Sequence, residues 1–177
     1  ANAQFAESVL AGQRGDNVAD LTIADPGGYF ADPAITGTID YDVNAAPLGF
    51  STFPAIPGLS DSRENFVAEA TGFIEFPEAG FHQMGVRSDD GFRLTVGDPS
   101  NPLAVAAFEG EREPADTIFG FVVPQPGLYP FRLVYYQARG GASVRWFSIN
   151  ENGEQVLVND QNDAAATGCC SSPKFLP

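Results

Sequence analysis

The chain has 177 residues, of which 44% are hydrophobic and 12% aromatic, enough to bury the core of one domain. A formal net charge of −14 argues against a nucleic-acid partner and against an anionic membrane surface, because both are themselves negatively charged. No stretch approaches the ~18 consecutive apolar residues of a membrane-spanning helix, so the composition predicts one domain, over residues 1–177, that does not insert into a membrane.

The N-terminal part of the chain predicts few regular elements. Residues 2–10 favour one short helix, because apolar residues recur four apart and Gly12 follows as a stop. A strand is expected within residues 35–43. The proline-rich stretch after it is predicted to be irregular, with Phe50 and Phe53 either covering one end of the fold or forming a contact surface.

Strand patterns dominate the chain from Phe66 onward. Apolar and polar residues alternate in runs that recur about every ten residues, and no convincing helix lies between them. The predicted strands cover about residues 66–76, 81–88, 92–96, 103–108, 117–123, 128–136, 142–149 and 155–158. Asn152-Gly153 predicts a tight hairpin before the last of these. The fold class is therefore a mainly antiparallel β-sandwich or barrel, with a core predicted to include Phe66, Ile74, Phe92, Leu94, Leu133 and Val144.

The two cysteines of the chain, Cys169 and Cys170, are adjacent in a polar C-terminal tail over residues 161–177 that shows no periodicity. Neighbouring cysteines close no loop, so they cannot cross-link the fold. A vicinal disulfide, a disulfide to another chain and two free thiols all remain open.

Two adjacent carboxylates mark the best site candidate. In GVRSDDGFRLTVGD, residues 85–98, Asp89 and Asp90 lie between two alternating runs, which predicts a hairpin-like connection. A turn needs one Asp and one Gly, so the second Asp is surplus charge. A purely structural alternative is that the two carboxylates cap the turn and pair with Arg87 or Arg93.

The same stretch carries a family resemblance. SDDGFRL, residues 88–94, resembles the central motif of the protective-antigen 14 kDa domain family, a β-sandwich module first described in a bacterial toxin. GLYPFRLVYYQARGGASVRWFS, residues 127–148, resembles the second signature of that family. The resemblance covers about residues 66–160 and leaves the irregular N-terminal segment, residues 1–65, unmatched. It implies a β-sandwich and an extracellular or cell-surface location.

The resemblance also implies a calcium site at an exposed end of the sandwich. Sugar-binding family members, such as yeast cell-surface adhesins, hold calcium with an Asp-Asp pair joined by a cis peptide bond. Neighbouring strand residues otherwise point to opposite faces. The second loop of the site corresponds to residues 137–141, which offer an amide and carbonyls but no carboxylate. The implied metal ligands are Asp89, Asp90 and Gln137, and the implied sugar-binding residues are Asp89, Asp90, Gly140 and Gly141. Arg139, on the same loop, is a further candidate for contact with the sugar, and a solvated loop charge is the alternative.

Other chemistry finds little support in the sequence. Tyr136 and Trp146 flank the glycine-rich loop, where core packing is their default role and stacking on a sugar ring is the alternative. His82 is the sole histidine and lies in a strand pattern. Asp89 and Asp90 are too close together to flank a glycosidic bond, which needs carboxyl groups about 5 Å or more apart on opposing walls. We therefore expect no enzymatic activity.

These observations favour an extracellular, calcium-dependent, adhesin-like module that binds a carbohydrate or a cell-surface glycan. The alternative is a structural subunit of an extracellular filament or surface layer, built by self-association of the sandwich. The segment outside the resemblance at one end of the chain and the cysteine pair at the other end motivate that alternative.

Overall fold

A computed structural model describes residues 2–16, 39–42, 51–52, 64–158 and 174–176. Their elements, in chain order, are α1 (Ala3–Leu10), β1 (Asp40–Asp42), β2 (Ser51–Thr52), β3 (Phe66–Phe76), β4 (Gly80–Asp89), β5 (Gly91–Val96), β6 (Leu103–Phe108), β7 (Ala115–Val123), β8 (Gly127–Gln137), β9 (Ser143–Ile149), β10 (Gln155–Leu157) and β11 (Lys174–Leu176). A mainly antiparallel β fold with one short N-terminal helix is thus confirmed.

The strands form two sheets that share one core. The first sheet has the order β2-β1-β9-β4-β7, with β10 paired to β9, and the second sheet has the order β11-β3-β8-β5-β6. Among the described strands, every pairing is antiparallel except that of β1 with β2. Apolar residues from alternate positions of both sheets form a single buried cluster. The architecture is therefore a β-sandwich.

The core holds most of the residues that the sequence assigned to it. Five of the six are buried, namely Ile74, Phe92, Leu94, Leu133 and Val144. Phe66, at the start of β3, is partly buried and packs against the edge of this cluster. Trp146 is fully buried, and its ring centroid lies 5.0 Å from that of Phe131. Core packing is therefore confirmed as the role of Trp146.

Helix α1 covers part of the outer face of the second sheet. The Asn2 side chain caps its N-terminus, as a residue with a short polar side chain does in many helices. Ala3 and Ala6 are buried against Val134 and Tyr136 of β8, in a small cluster separate from the main core. The predicted helix is confirmed, and its small residues let it lie close to the sheet.

One connection differs from the prediction. The runs before and after Asp89 and Asp90 were expected to form a hairpin, but β4 pairs with β7 and β9, whereas β5 pairs with β6 and β8. The chain therefore crosses from the first sheet to the second at the two aspartates. Alternation reports the face on which a residue lies and not the neighbouring strand, so the pattern could not distinguish a hairpin from a crossing.

Very short strands were also missed. The expectation that residues 161–177 lack regular structure is wrong, since β11 pairs with β3. The proline-rich stretch contains β2, and β1 occupies three residues of the strand expected at 35–43. Two or three residues are too few to show alternation. The hairpin at Asn152-Gly153 is confirmed by the pairing of β10 with β9.

The predictions made for Phe50, Phe53, Cys169 and Cys170 lie outside the described residues. In the part of the chain that the structure describes, no helix has the length and apolar character needed to cross a membrane.

Three connections between the sheets meet at one end of the sandwich. Residues 89–91 join β4 to β5, residues 109–114 join β6 to β7, and residues 138–142 join β8 to β9. The antiparallel pairing of β5 with β6 and with β8 places these connections together. The aspartate pair and the glycine-rich loop, far apart in sequence, are therefore neighbours.

Truncation of a core residue tests the packing of the two sheets. We expect Leu133→Ala to lower the free energy of unfolding by about 2–5 kcal/mol, because it leaves a cavity in the shared core. The same substitution at Leu103, which is 65% exposed on β6, should change it by no more than about 0.5 kcal/mol. Urea denaturation followed by tryptophan fluorescence measures both, and equal effects would contradict the assignment of the core.

Candidate functional site

Asp90 lies at the centre of this end of the sandwich. Its Oδ1 accepts a hydrogen bond from the Arg112 backbone N–H at 3.1 Å, and its Oδ2 accepts one from the Ala138 backbone N–H at 2.8 Å. The Asp89–Asp90 peptide bond is cis, in agreement with the expectation for this pair. One carboxylate thus holds two of the three connections.

Both residues of the aspartate pair are buried. Asp89 is 6% and Asp90 3% exposed to solvent. The pair is at the end of the sandwich, as predicted, next to the connections at 109–114 and 138–142, whose Arg112 and Ala138 N–H groups bond to Asp90. The sequence could not show this burial because it depends on loops that are distant along the chain.

The predicted metal ligand Gln137 lies beside this pair, at the end of β8. Its Nε2 donates hydrogen bonds to the carbonyl of Arg139 at 3.0 Å and to that of Gly141. The Tyr135 hydroxyl lies 2.8 Å from Gln137 Oε1 and also contacts the carbonyl of Asp89. The Gln137 amide is therefore surrounded by oxygen atoms, and Tyr135 links it to the aspartate pair.

The other predicted sugar-binding residues form the rim of the site. Arg139 and Gly140 are exposed, and Gly141 is half-buried. Gly140 has a φ of 79°, a conformation that glycine adopts readily because it has no Cβ. Its N–H donates to the Glu64 carboxylate at 3.0 Å, and the Asn65 N–H donates to the Ala138 carbonyl at 2.8 Å. The residues just before β3 thus fix the loop in place.

Arg112 is a site residue that the sequence did not reveal. Its Nε donates to the Ser88 carbonyl at 3.0 Å, its Nη2 to Ser88 Oγ at 2.7 Å, and its Nη1 to Thr117 Oγ1 at 3.0 Å. Ser88 Oγ in turn donates to the Asp90 carbonyl at 2.7 Å. The Arg112 side chain therefore fixes Ser88, and Ser88 in turn bonds to the backbone of the aspartate pair.

The surroundings of Arg112 explain why a charged side chain is accepted there. Its Cζ lies 4.1 Å from the centroid of the Phe108 ring, a cation–π contact. Burial lowers the pKa of the guanidinium from its ordinary value, while the negative charge of Asp116 acts in the opposite direction. In the sequence Arg112 is one charge within a charged loop, so no pattern distinguished it from a solvated residue.

The arginines proposed as partners of the aspartate pair bind elsewhere. Arg87 pairs with Asp116 at 3.1 Å, and Arg93 pairs with Glu109 at 3.2 Å. Both ion pairs are partly exposed. The alternative in which Arg87 or Arg93 neutralises the pair is therefore not the arrangement adopted.

Tyr136 is a packing residue under the site and not part of its surface. It is 1% exposed, and its ring covers Gly91, where an added Cβ would lie 2.2 Å from Tyr136 Cζ. Its hydroxyl donates to the Phe108 carbonyl at 2.8 Å. Burial raises the pKa of Tyr136 to about 12. Tyr136 is therefore too deeply buried to stack on a sugar ring.

Ser143, the first residue of β9, has a hydroxyl that forms no hydrogen bond with any described residue. The residue is 1% exposed, and its Oγ has no hydrogen-bond partner within the described part of the chain. The pairing of β4 with β9 places Ser143 opposite Asp89. A serine at a strand end gives no sequence signal, so this residue was also missed.

The groups gathered here suit a hard cation. They comprise two carboxylates, the Gln137 amide and the carbonyls of Arg139 and Gly141. All carry oxygen, the ligand type that calcium takes in proteins, usually from about six to eight atoms. Among the described residues, no three or more His, Cys, Asp or Glu side chains cluster as a metal site. The donors present nevertheless fit calcium by their chemistry, because amide and carbonyl oxygens supplement the two carboxylates.

Comparisons with known proteins find one family model and several solved structures. The family model of the PA14 domain matches residues 29–160. A solved structure described as the PA14 sugar-binding domain from RTX adhesin is 26% identical, with a TM-score of 0.47 over 58% of this chain. The PA14 domain of MpAFP antifreeze protein is 18% identical, with a TM-score of 0.47 over 62%. The Epithelial Adhesin 9 A domain from Candida glabrata, in complex with Galb1-3GlcNAc, is 16% identical, with a TM-score of 0.49 over 71%.

This chain spans about half the length of the first two solved structures, covering 54% and 53% of them, and 66% of the third. No curated protein matches the chain.

Removal of the Arg112 guanidinium tests its support of the site. We expect Arg112→Met to lower the free energy of unfolding by about 1–3 kcal/mol, because the buried acceptors of Ser88 lose their donors. The matched control is Arg87→Met, which removes a partly exposed ion pair and should cost about 1 kcal/mol or less. Guanidinium denaturation measures both, and a cost for Arg112→Met no larger than that of the control would contradict this role.

Proposed function

The chain belongs to the PA14 domain family, whose model matches residues 29–160 of its 177, and from this premise we propose that it is an extracellular or cell-surface module that binds carbohydrate with the help of calcium. The observation that carries the proposal is the convergence of the Asp89-Asp90 pair, the Gln137 amide and the carbonyls of Arg139 and Gly141 at one end of the sandwich. The module acts by binding, and we propose no reaction for it.

The hydrogen bonds of Asp90 leave part of its carboxylate available. An ionised carboxylate offers about four lone-pair directions. The N–H groups of Arg112 and Ala138 use two of them, one on each oxygen. These bonds also fix the orientation of the carboxylate. Asp90 thus retains one further direction on each oxygen that can point to a cation.

The hydrogen bonds of Tyr135 support a role for the Gln137 amide oxygen. The Tyr135 hydroxyl has one proton, yet it lies beside two acceptors, the Asp89 carbonyl and Gln137 Oε1. A half-turn of the amide would bring Nε2 to Tyr135 as a donor, so that the hydroxyl donates to Asp89 alone. Oε1 would then face the carbonyls of Arg139 and Gly141, where three oxygens need a cation to offset their repulsion.

Calcium bound here would neutralise the two adjacent carboxylates and offer coordination positions to neighbouring sugar hydroxyls. The chain itself supplies the shape of the rim. The exposed Arg139 side chain can donate to sugar hydroxyls, and the glycines at 140 and 141 leave room for a ring to approach. Because the loop at 137–141 supplies no carboxylate ligand, it leaves more coordination positions of the cation open to sugar hydroxyls than a loop with a carboxylate would.

The alternative function is a structural subunit that self-associates in a filament or surface layer. Of the features that motivate it, helix α1 packs on β8 of the same chain, and Cys169 and Cys170 lie outside the described residues. This alternative stays a prediction, and size-exclusion chromatography with and without reductant tests it independently of calcium.

Calorimetry and a glycan array test the proposed function together. After treatment with a chelator, the protein should bind calcium with a dissociation constant of about 1 mM or tighter, the range of extracellular calcium modules. Asp89→Asn and Asp90→Asn should each abolish calcium binding, because each removes a charged ligand. Binding to glycans should disappear with the chelator, return with calcium and be lost in both variants.

The matched control is Asp98→Asn, which makes the same charge change in the turn at the opposite end of β5. Asp98 accepts hydrogen bonds from Ser100 in that turn, so calcium affinity should be unchanged. No binding heat at millimolar calcium would end the proposal. Unchanged glycan binding in Asp89→Asn would move the sugar site elsewhere.

A further inference from the structure

We propose that the Ser143 hydroxyl is a further oxygen ligand of the cation in this site, an inference that rests on the proposed function for the identity of the cation. Neither the sequence motifs nor the resemblance points to this residue. The assignment comes from the burial of Ser143, its lack of a hydrogen-bond partner among the described residues and its position in the first sheet.

A buried hydroxyl without a partner is uncommon, because its removal from water goes uncompensated. Ser143 is 1% exposed, and no described residue lies within hydrogen-bonding geometry of its Oγ. Such an atom calls for an explanation, and a bound cation or water is one of the few available. Ser88, the serine next to the aspartate pair, differs in this respect, since its Oγ both donates and accepts hydrogen bonds.

The register of the first sheet puts Ser143 between Asp42 of β1 and Asp89 of β4, the first residue of the aspartate pair. Ser143 lies directly opposite Asp89 in the pairing of β4 with β9, and residues opposed in this way carry their side chains on the same face, with Cβ atoms about 5 Å apart. Val144, the next residue, is in the core, so alternation turns Ser143 away from the core.

The same residue follows the glycine-rich loop closely. Ser143 comes two residues after Gly141, whose carbonyl contacts the Gln137 amide. It is therefore placed between the two halves of the site, with the aspartate pair on the neighbouring strand and the loop carbonyls immediately before it. A serine hydroxyl there adds a neutral oxygen, which suits calcium because calcium accepts mixed oxygen ligands.

Two substitutions of Ser143 test the assignment, with calcium and cadmium as the probes. Ser143→Ala should weaken calcium binding about 10-fold or more, a loss typical of groups that complete a metal site. Ser143→Cys should also weaken calcium binding but should increase cadmium affinity over that of the wild type, because a thiolate is a soft ligand. A cadmium–thiolate charge-transfer band in the ultraviolet that exceeds any band given by Cys169 and Cys170 in the wild type reports direct contact, which a merely structural role would not produce.

Thermal unfolding in the presence of a chelator separates ligation from folding. Ser143→Ala removes a buried hydroxyl that has no partner in the described part of the chain, so its midpoint should equal or exceed that of the wild type. The matched control is Ser148→Ala on the same strand, whose Oγ donates to the Val156 carbonyl at 3.2 Å. That variant should lower the midpoint and leave calcium affinity unchanged.

The outcomes distinguish this inference from the function on which it rests. If the wild-type protein binds no calcium, the proposed function fails and Ser143 loses its role with it. If the wild type binds calcium and Ser143→Ala binds it equally well, the function stands and the inference is overturned. Weaker calcium binding in both variants without any gain of cadmium affinity or charge-transfer band in Ser143→Cys would also overturn direct ligation.

Discussion

The hydrogen bonds between the Asp90 carboxylate and two backbone N–H groups hold the site end of the sandwich together. The N–H groups belong to Arg112 and Ala138, in the connections that follow β6 and β8. Asp90 itself lies where the chain crosses from the first sheet to the second. Hydrogen bonds to an ionised acceptor are stronger than those between neutral groups, and a buried N–H without an acceptor is costly. Three connections between the sheets are therefore tied at one carboxylate.

Further packing and hydrogen bonds surround these two bonds of the Asp90 carboxylate. Tyr136 covers Gly91, the residue after Asp90, and its hydroxyl bonds to the carbonyl that ends β6. Glu109 follows that carbonyl and accepts a hydrogen bond from the Ala3 N–H of helix α1 at 2.7 Å. The helix, the central strand of the second sheet and the aspartate pair thus form one continuous set of contacts. A rigid support of this kind suits a site whose ligands must hold a fixed geometry.

The sequence predicted what depends on local pattern. The alternation after Phe66 located the long strands to within one or two residues, and the surplus charge at Asp89 and Asp90 drew attention to the place where the chain crosses between the sheets. The resemblance added Gln137 and the loop after it. Each of these rests on residues that are close together in the sequence, where periodicity, turn chemistry and short motifs are informative.

Features that depend on distant parts of the chain were missed. The meeting of distant loops determines the burial of the aspartate pair, the contacts of Arg112 and the lack of a partner for the Ser143 hydroxyl among the described residues. Alternation carries no such information. The short strands β2 and β11 form because longer neighbours offer them an edge. In the same way, the sequence could not show that β4 and β5 belong to different sheets.

The most direct test of the account is an anomalous difference map from crystals of the protein grown with calcium. The account predicts one peak about 2.3–2.6 Å from carboxylate oxygens of both Asp89 and Asp90 and from Gln137 Oε1, with the amide turned so that Nε2 faces Tyr135. A map without a peak between the two carboxylates at saturating calcium, with Gln137 Nε2 still directed at the carbonyls of Arg139 and Gly141, would contradict it.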